Sequence, residues 1–257
     1  MKLSMALLAA LTAACAAPLK RPKLAPGQQP AEFSATVVKK VGAKYLLFLP
    51  ADFGSDTRKR WPTILFLHGS GERGDDLAKV KVNGPPKFLD HRPGFPFIVI
   101  SPQAPDDGGW DPDVLNALLD DALKRYPIDP DRIYLTGLSM GGIGAYELAT
   151  EHPERFAAVA PISGFGDPDR ACRLKNLPLH AYHGGKDPYV LPADDQATVR
   201  AIQDCGGRAK MLLFPEEGHD VWNIAYSDQE LYNWFLRQTR GHPAEDAAQR
   251  PEAPGKR

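Results

Sequence analysis

Apolar and polar positions change rhythm repeatedly through the middle of this chain. Residues 63–67 (Thr-Ile-Leu-Phe-Leu) and 97–100 (Phe-Ile-Val-Ile) are apolar almost without a break, as strands buried on both faces are. Residues 114–126 instead repeat their apolar positions at helical spacing, with Asp111 or Asp113 placed to cap the start. Pro127 and the turn Asp129-Pro130-Asp131 then lead into a strand at 132–136. Further strands are predicted at 157–161, 177–183 and 209–214, and helices at 142–151, 193–204 and 227–239. At the front, 35–38 and 44–49 read as two antiparallel strands joined by a turn at Gly42. The expected class is α/β: a mostly parallel central sheet, an antiparallel N-terminal start and helices on both faces. In such sheets the chemistry collects beyond the carboxyl ends of the strands.

The two ends of the chain lack this rhythm. Met1-Lys2, an apolar run from Leu3 to Leu11 and the small residues Thr12-Ala13-Ala14 read as a signal peptide over 1–17. The small residues before Cys15 resemble a bacterial lipoprotein signal, in which that cysteine is lipidated. Thr12 stands where such signals carry leucine, so cleavage after Ala14 or Ala17 is the alternative. Residues 18–31 read as a flexible linker, 32–240 as the folded domain and 241–257 as a disordered tail. The expected location is outside the cytoplasm: periplasmic, anchored to the outer membrane or secreted.

Composition narrows the classes. The chain has 257 residues, enough for one large domain, and a formal net charge of −1. That balance makes no electrostatic case for nucleic acid, and leaves membrane contact to an N-terminal lipid anchor. Beyond Cys15 the only thiols are Cys172 and Cys205, which fit no zinc spacing. In an oxidising compartment they either pair or remain as two buried thiols.

The candidate chemistry starts at Gly137-Leu138-Ser139-Met140-Gly141-Gly142, between the strand at 132–136 and the helix at 142–151. Turning a chain from strand to helix this sharply pushes the central side chain outward, and flanking glycines remove the Cβ atoms that would collide. Ser139 is therefore the candidate nucleophile, and the Met140 N–H a candidate oxyanion donor.

A serine hydroxyl needs a base, and seven histidines compete. His91, His152 and His242 lie beside prolines in loops, His180 is inside a strand, and His183 closes one as a structural residue. His219, in Gly218-His219-Asp220 after the strand at 209–214, shares the rim with Ser139. Asp187 follows the strand at 177–183 and is the candidate acid, with Asp167 as runner-up. The turn His68-Gly69-Ser70-Gly71-Glu72-Arg73-Gly74 offers the Ser70 N–H as second oxyanion donor, with His68 bracing the loop. Trp110 and Trp222 fall on the same rim and are candidate aromatic walls for substrate.

With these residues in place, Leu67 to Asp75, Asp129 to Gly142 and Gly218 to Trp222 resemble the α/β-hydrolases often called predicted peptidases. That group is similar to phospholipase/carboxylesterase and dienelactone-hydrolase-like esterases. The resemblance covers essentially all of 35–240. It implies the α/β-hydrolase fold, with Ser139 as nucleophile, Asp187 as acid and His219 as base. It also implies Ser70 and Met140 as the oxyanion donors. Dienelactone hydrolases proper use cysteine where this chain has Ser139, which points to ordinary ester hydrolysis.

The reaction expected is cleavage of a carboxylic ester, with no metal and no cofactor. A serine peptidase using the same three residues is one alternative. A non-catalytic envelope binding protein that keeps the fold is the other.

Overall fold

The computed structural model describes residues 38–242. The signal peptide, Cys15, the linker, nearly all of the tail and residues 35–37 lie outside the described residues. Contacts divide the chain into Met1–Lys39 and Lys40–Arg257, and the second unit holds every strand and helix of the fold.

The described elements match the predicted alternation. They run β1 (Tyr45–Phe48), β2 (Trp61–Leu67), α1 (Pro86–Leu89), β3 (Ile98–Pro102), α2 (Pro112–Arg125) and β4 (Ile128–Leu138). Then come α3 (Met140–Glu151), β5 (Ala158–Ile162), β6 (Leu179–Gly184), α4 (Pro192–Asp204), β7 (Ala209–Phe214), α5 (Trp222–Ser227) and α6 (Gln229–Arg237). The seven strands form one sheet in the order β1-β3-β2-β4-β5-β6-β7. Only the β1–β3 pair within it is antiparallel.

Period-two side chains divide each strand between two cores. In β2, Leu65 and Leu67 pack with Leu119 of α2, Leu148 of α3 and Ile202 of α4. Ile64 and Phe66 face the other way, toward Leu89, Tyr226, Leu231 and Phe235. Helices therefore cover both faces, which is why the central strands carry no polar face. Among the described residues no helix is long and apolar enough to cross a membrane.

Four local features refine the expectations. The described antiparallel partner of β1 is β3, with Tyr45 opposite Pro102; of the strand expected at 35–38 only Val38 is described, and it is exposed and outside any strand. β4 starts at Ile128, so the predicted turn at 129–131 lies inside the strand, where the β2 register shifts between Trp61 and Thr63. The helix expected over 227–239 is α6, started where the Asp228 carboxylate accepts the Glu230 N–H (2.9 Å), and a short helix that was not expected, α5, precedes it. Cys172 and Cys205 form a disulfide, which settles the open pairing and ties the 3-10 turn Pro168–Leu174 to the end of α4.

Candidate active site

Each candidate side chain stands just past the carboxyl end of a strand. Ser139 follows β4 directly, with φ 53° and ψ −119°. A positive φ is a strained setting for a residue with a Cβ, so the surrounding chain has to impose it. Two glycines show how. A Cβ on Gly137 would sit 2.2 Å from the Gly141 carbonyl oxygen, and one on Gly141 would sit 2.0 Å from that of Leu67. Only bare backbone lets the turn press this closely on β2. The Ser139 N–H donates to the Ile162 carbonyl (2.9 Å), which fastens the turn to β5.

His219 lies beyond β7 and meets Ser139. Its Nε2 is 2.9 Å from Ser139 Oγ and its Nδ1 is 2.7 Å from Asp187 Oδ2. The other oxygen of Asp187 accepts the N–H groups of Tyr189 (2.9 Å) and Val190 (3.0 Å). Burial pushes the Asp187 carboxyl up, but the His219 and backbone hydrogen bonds outweigh it and hold the group below the usual carboxylate range. With Asp187 ionised, Nδ1 of His219 carries the hydrogen, and Nε2 is free to accept from the serine hydroxyl. Ser163, also at positive φ (47°), donates its Oγ hydrogen to the His219 carbonyl (2.8 Å) and steadies the base from behind.

The loop after β2 is fixed by side chains. His68 is fully buried; its Nε2 accepts the Ala104 N–H (3.0 Å), so Nδ1 carries the hydrogen and donates to the Gly69 carbonyl (2.6 Å). Burial lowers its affinity for a second proton, in keeping with that neutral tautomer. Gln103 Nε2 donates to the carbonyls of Glu72 (2.8 Å) and Asp76 (2.9 Å), and the buried Glu72 carboxylate accepts from Asn83 Nδ2 (2.5 Å). Ser70 opens the 3-10 turn Ser70–Glu72 and Met140 opens α3. The N–H groups at such positions have no acceptor within their own turn.

The two tryptophans separate. Trp222 sits edge-on to His219, 5.1 Å between ring centroids, and its indole N–H donates to Asn83 Oδ1 (3.3 Å). Trp110 instead packs on His68 (4.7 Å) and donates to the His68 carbonyl (3.2 Å), behind the loop. A second aromatic ring against His219 is that of Tyr189, at 5.4 Å and 80% exposed. Sequence reasoning missed it; its place two residues after Asp187 was the available signal.

The remaining candidates find structural places. Asp167 caps the turn Pro168–Leu174 by accepting the Asp169 N–H (2.9 Å). His183, fully buried, bonds Asp195 Oδ2 through Nδ1 (2.8 Å) and the Val190 carbonyl through Nε2 (3.0 Å). Among the described residues no group of three or more His, Cys, Asp or Glu side chains is arranged to hold a metal ion.

Residues 90–243, more than half of the chain, match the family model described as "Putative esterase". A curated relative from Nocardia uniformis subsp. tsuyamanensis, "Putative esterase NocK", is 35% identical over 151 residues, covering 54% of this chain and 44% of the relative. "Probable feruloyl esterase C" of Aspergillus terreus is 29% identical over 187 residues, covering 69% of this chain and 67% of that protein. A solved thermostable esterase superposes with a TM-score of 0.64 at 30% identity, over 76% of this chain and 59% of that one. The chain thus spans less than half of the first relative and little more than half of the solved esterase.

Proposed function

The chain belongs to the family described as "Putative esterase", of the α/β-hydrolase superfamily, and from that premise we propose that it is a serine hydrolase of carboxylic esters. The observation that carries the reading is the hydrogen-bonded series Ser139–His219–Asp187, assembled from three strand ends 32 to 80 residues apart.

The chemistry rests on that series. His219 Nε2 takes the Ser139 proton as Oγ attacks the ester carbonyl. Asp187 holds the imidazolium that forms. The tetrahedral oxyanion rests on the N–H groups of Ser70 and Met140, the latter backed by the dipole of α3. Collapse expels the alcohol, which takes its proton from His219. Water, deprotonated by the same imidazole, then releases the acid from Ser139.

Trp222 and Tyr189 flank the base and form the aromatic walls of the substrate cleft, with Trp110 supporting the loop that carries Ser70. An ester with a planar or extended apolar group suits such walls. The family and the named esterases favour esters over peptides. Export belongs to the same proposal: a signal peptide within 1–17, cleaved before Cys15 so that this cysteine is lipidated, fits a protein carrying the Cys172–Cys205 disulfide.

The test is a panel of acetyl, feruloyl and longer acyl esters, with matched amides, assayed on purified protein and on Ser139→Ala. Ester turnover that falls by about 10⁴-fold or more in the variant is expected. Undiminished turnover in Ser139→Ala, or faster cleavage of the amides, overturns the assignment.

A further inference from the structure

Behind Asp187 lies a second, wholly buried set of polar side chains that the acyl-transfer steps do not use. His183 and Asp195 are both fully buried. His183 Nδ1 is 2.8 Å from Asp195 Oδ2, and Tyr146 Oη donates to Asp195 Oδ1 (2.6 Å). On its other side, His183 Nε2 lies 3.0 Å from the Val190 carbonyl and 3.3 Å from Asp187 Oδ2. That oxygen is the one His219 bonds.

The protons can be assigned from the partners. A carbonyl only accepts, so Nε2 of His183 must carry hydrogen. Asp195 receives the Tyr146 hydroxyl on one oxygen, and its one ion-pair partner among the described residues is His183. Burial raises the Asp195 carboxyl, and its hydrogen bonds to His183 and Tyr146, with the charge of His183, act against that rise. The charged pair is favoured by geometry, since the imidazole stands between two carboxyl groups, Asp195 and Asp187. Burial works against charge on His183. The bonds to Asp195 and Val190, with the charges of Asp195 and Asp187, outweigh it and raise the imidazole above its ordinary value. The charged or titratable groups facing the ring are Asp195 from α4 and Asp187 from the loop after β6. Tyr146 of α3 acts through Asp195, and His219 through Asp187.

We infer that His183 is a positioning residue of the proposed hydrolase: an imidazolium, held by Asp195, that fixes the Asp187 carboxylate from behind. Val190 is the hinge of this arrangement, since its N–H binds Asp187 Oδ1 while its carbonyl binds His183 Nε2. The cation keeps Asp187 ionised and tempers its pull on the His219 proton. His183 touches no substrate; it acts through Asp187.

This inference rests on the esterase reading for its kinetic consequence but not for its ionic state, so two readouts test it. Ring ¹⁵N spectra of the histidine-labelled protein should show one buried imidazole with both nitrogens protonated at ~pH 8, well above an ordinary histidine. That signal should vanish in His183→Gln and turn neutral in Asp195→Asn. In ester hydrolysis, both variants should move the acid limb of kcat/KM upward by about half a unit, with Tyr146→Phe moving it less. A neutral His183 ring at ~pH 8 in the unaltered protein overturns the proposal, even if His183→Gln fails to fold. So does an unmoved acid limb in a folded Asp195→Asn protein. Without any ester turnover the spectra still decide the ionic state, and the fault lies with the esterase reading.

Discussion

The turn at 137–142 is held by the absence of side chains, whereas the loop at 68–76, though it too has close-packed glycines at 69 and 74, is tied down by side-chain hydrogen bonds. In the turn, Gly137 and Gly141 let backbone approach backbone so closely that a single Cβ would overlap a carbonyl oxygen. In the loop, His68, Gln103 and Asn83 reach across more than ten residues in sequence to bond the backbone and the Glu72 carboxylate. Steric enforcement is all or nothing. A hydrogen-bonded brace can be weakened one bond at a time. In the proposed mechanism both devices serve one purpose, since there the N–H groups of Met140 and Ser70 converge on one oxyanion.

The largest expected effect lies in the turn. Gly141→Ala would place its Cβ 2.0 Å from the Leu67 carbonyl oxygen. A loss of about 3 kcal/mol or more is expected, read as a collapse of the unfolding midpoint together with activity. A variant that unfolds like the parent would show that the turn yields, and would break the contrast at its strong end.

The brace should fail by degrees. Gln103→Leu removes the amide that bonds the carbonyls of Glu72 and Asp76; the buried Glu72 carbonyl loses this partner, while that of Asp76, at the surface, keeps the Lys79 N–H. About 1–3 kcal/mol of stability should be lost, with kcat falling more than KM changes. The pH dependence of His68 sharpens the same point. Its folded value is lowered by burial, so its contribution to stability is full above the unfolded value of about 6.5 and is lost as pH falls below it. Protonated Nε2 could no longer accept the Ala104 N–H. Thermal midpoints measured downward from neutral pH should decline, and decline less in a folded His68→Asn variant.

The smallest effect belongs to a glycine of the loop. A Cβ on Gly71 meets nothing within 4 Å, and its φ is not positive. Gly71→Ala should therefore shift stability by less than ~0.5 kcal/mol in calorimetry. A large loss there would mean that the loop, too, is held by steric contact.

The same contrast explains which parts of the fold and site were legible in the sequence. Steric devices leave a local signature: glycines two before and two after Ser139, between an apolar strand and a helix, announce the turn. Strand order puts Asp187 and His219 on the same rim, because both lie just past the ends of buried runs. The brace was legible only in part. His68 has a position that suggests support, but Gln103 and Asn83 act across 20 or more and 11 residues, with no periodicity to mark them. The pairing of β1 with β3 is likewise a long-range choice. Tyr189 escaped notice because an exposed aromatic in a loop has no pattern of its own. The helix α5 was missed because six residues are too few to show a helical rhythm.

Above all, Ser139 must be an activated nucleophile, and covalent capture tests that most directly. The protein is treated with a fluorophosphonate, and the modified residue is located by peptide mass spectrometry. One adduct, on Ser139, lost in Ser139→Ala and strongly slowed in His219→Ala, is the predicted result. No adduct on Ser139 in folded protein, or labelling indifferent to His219, would contradict it.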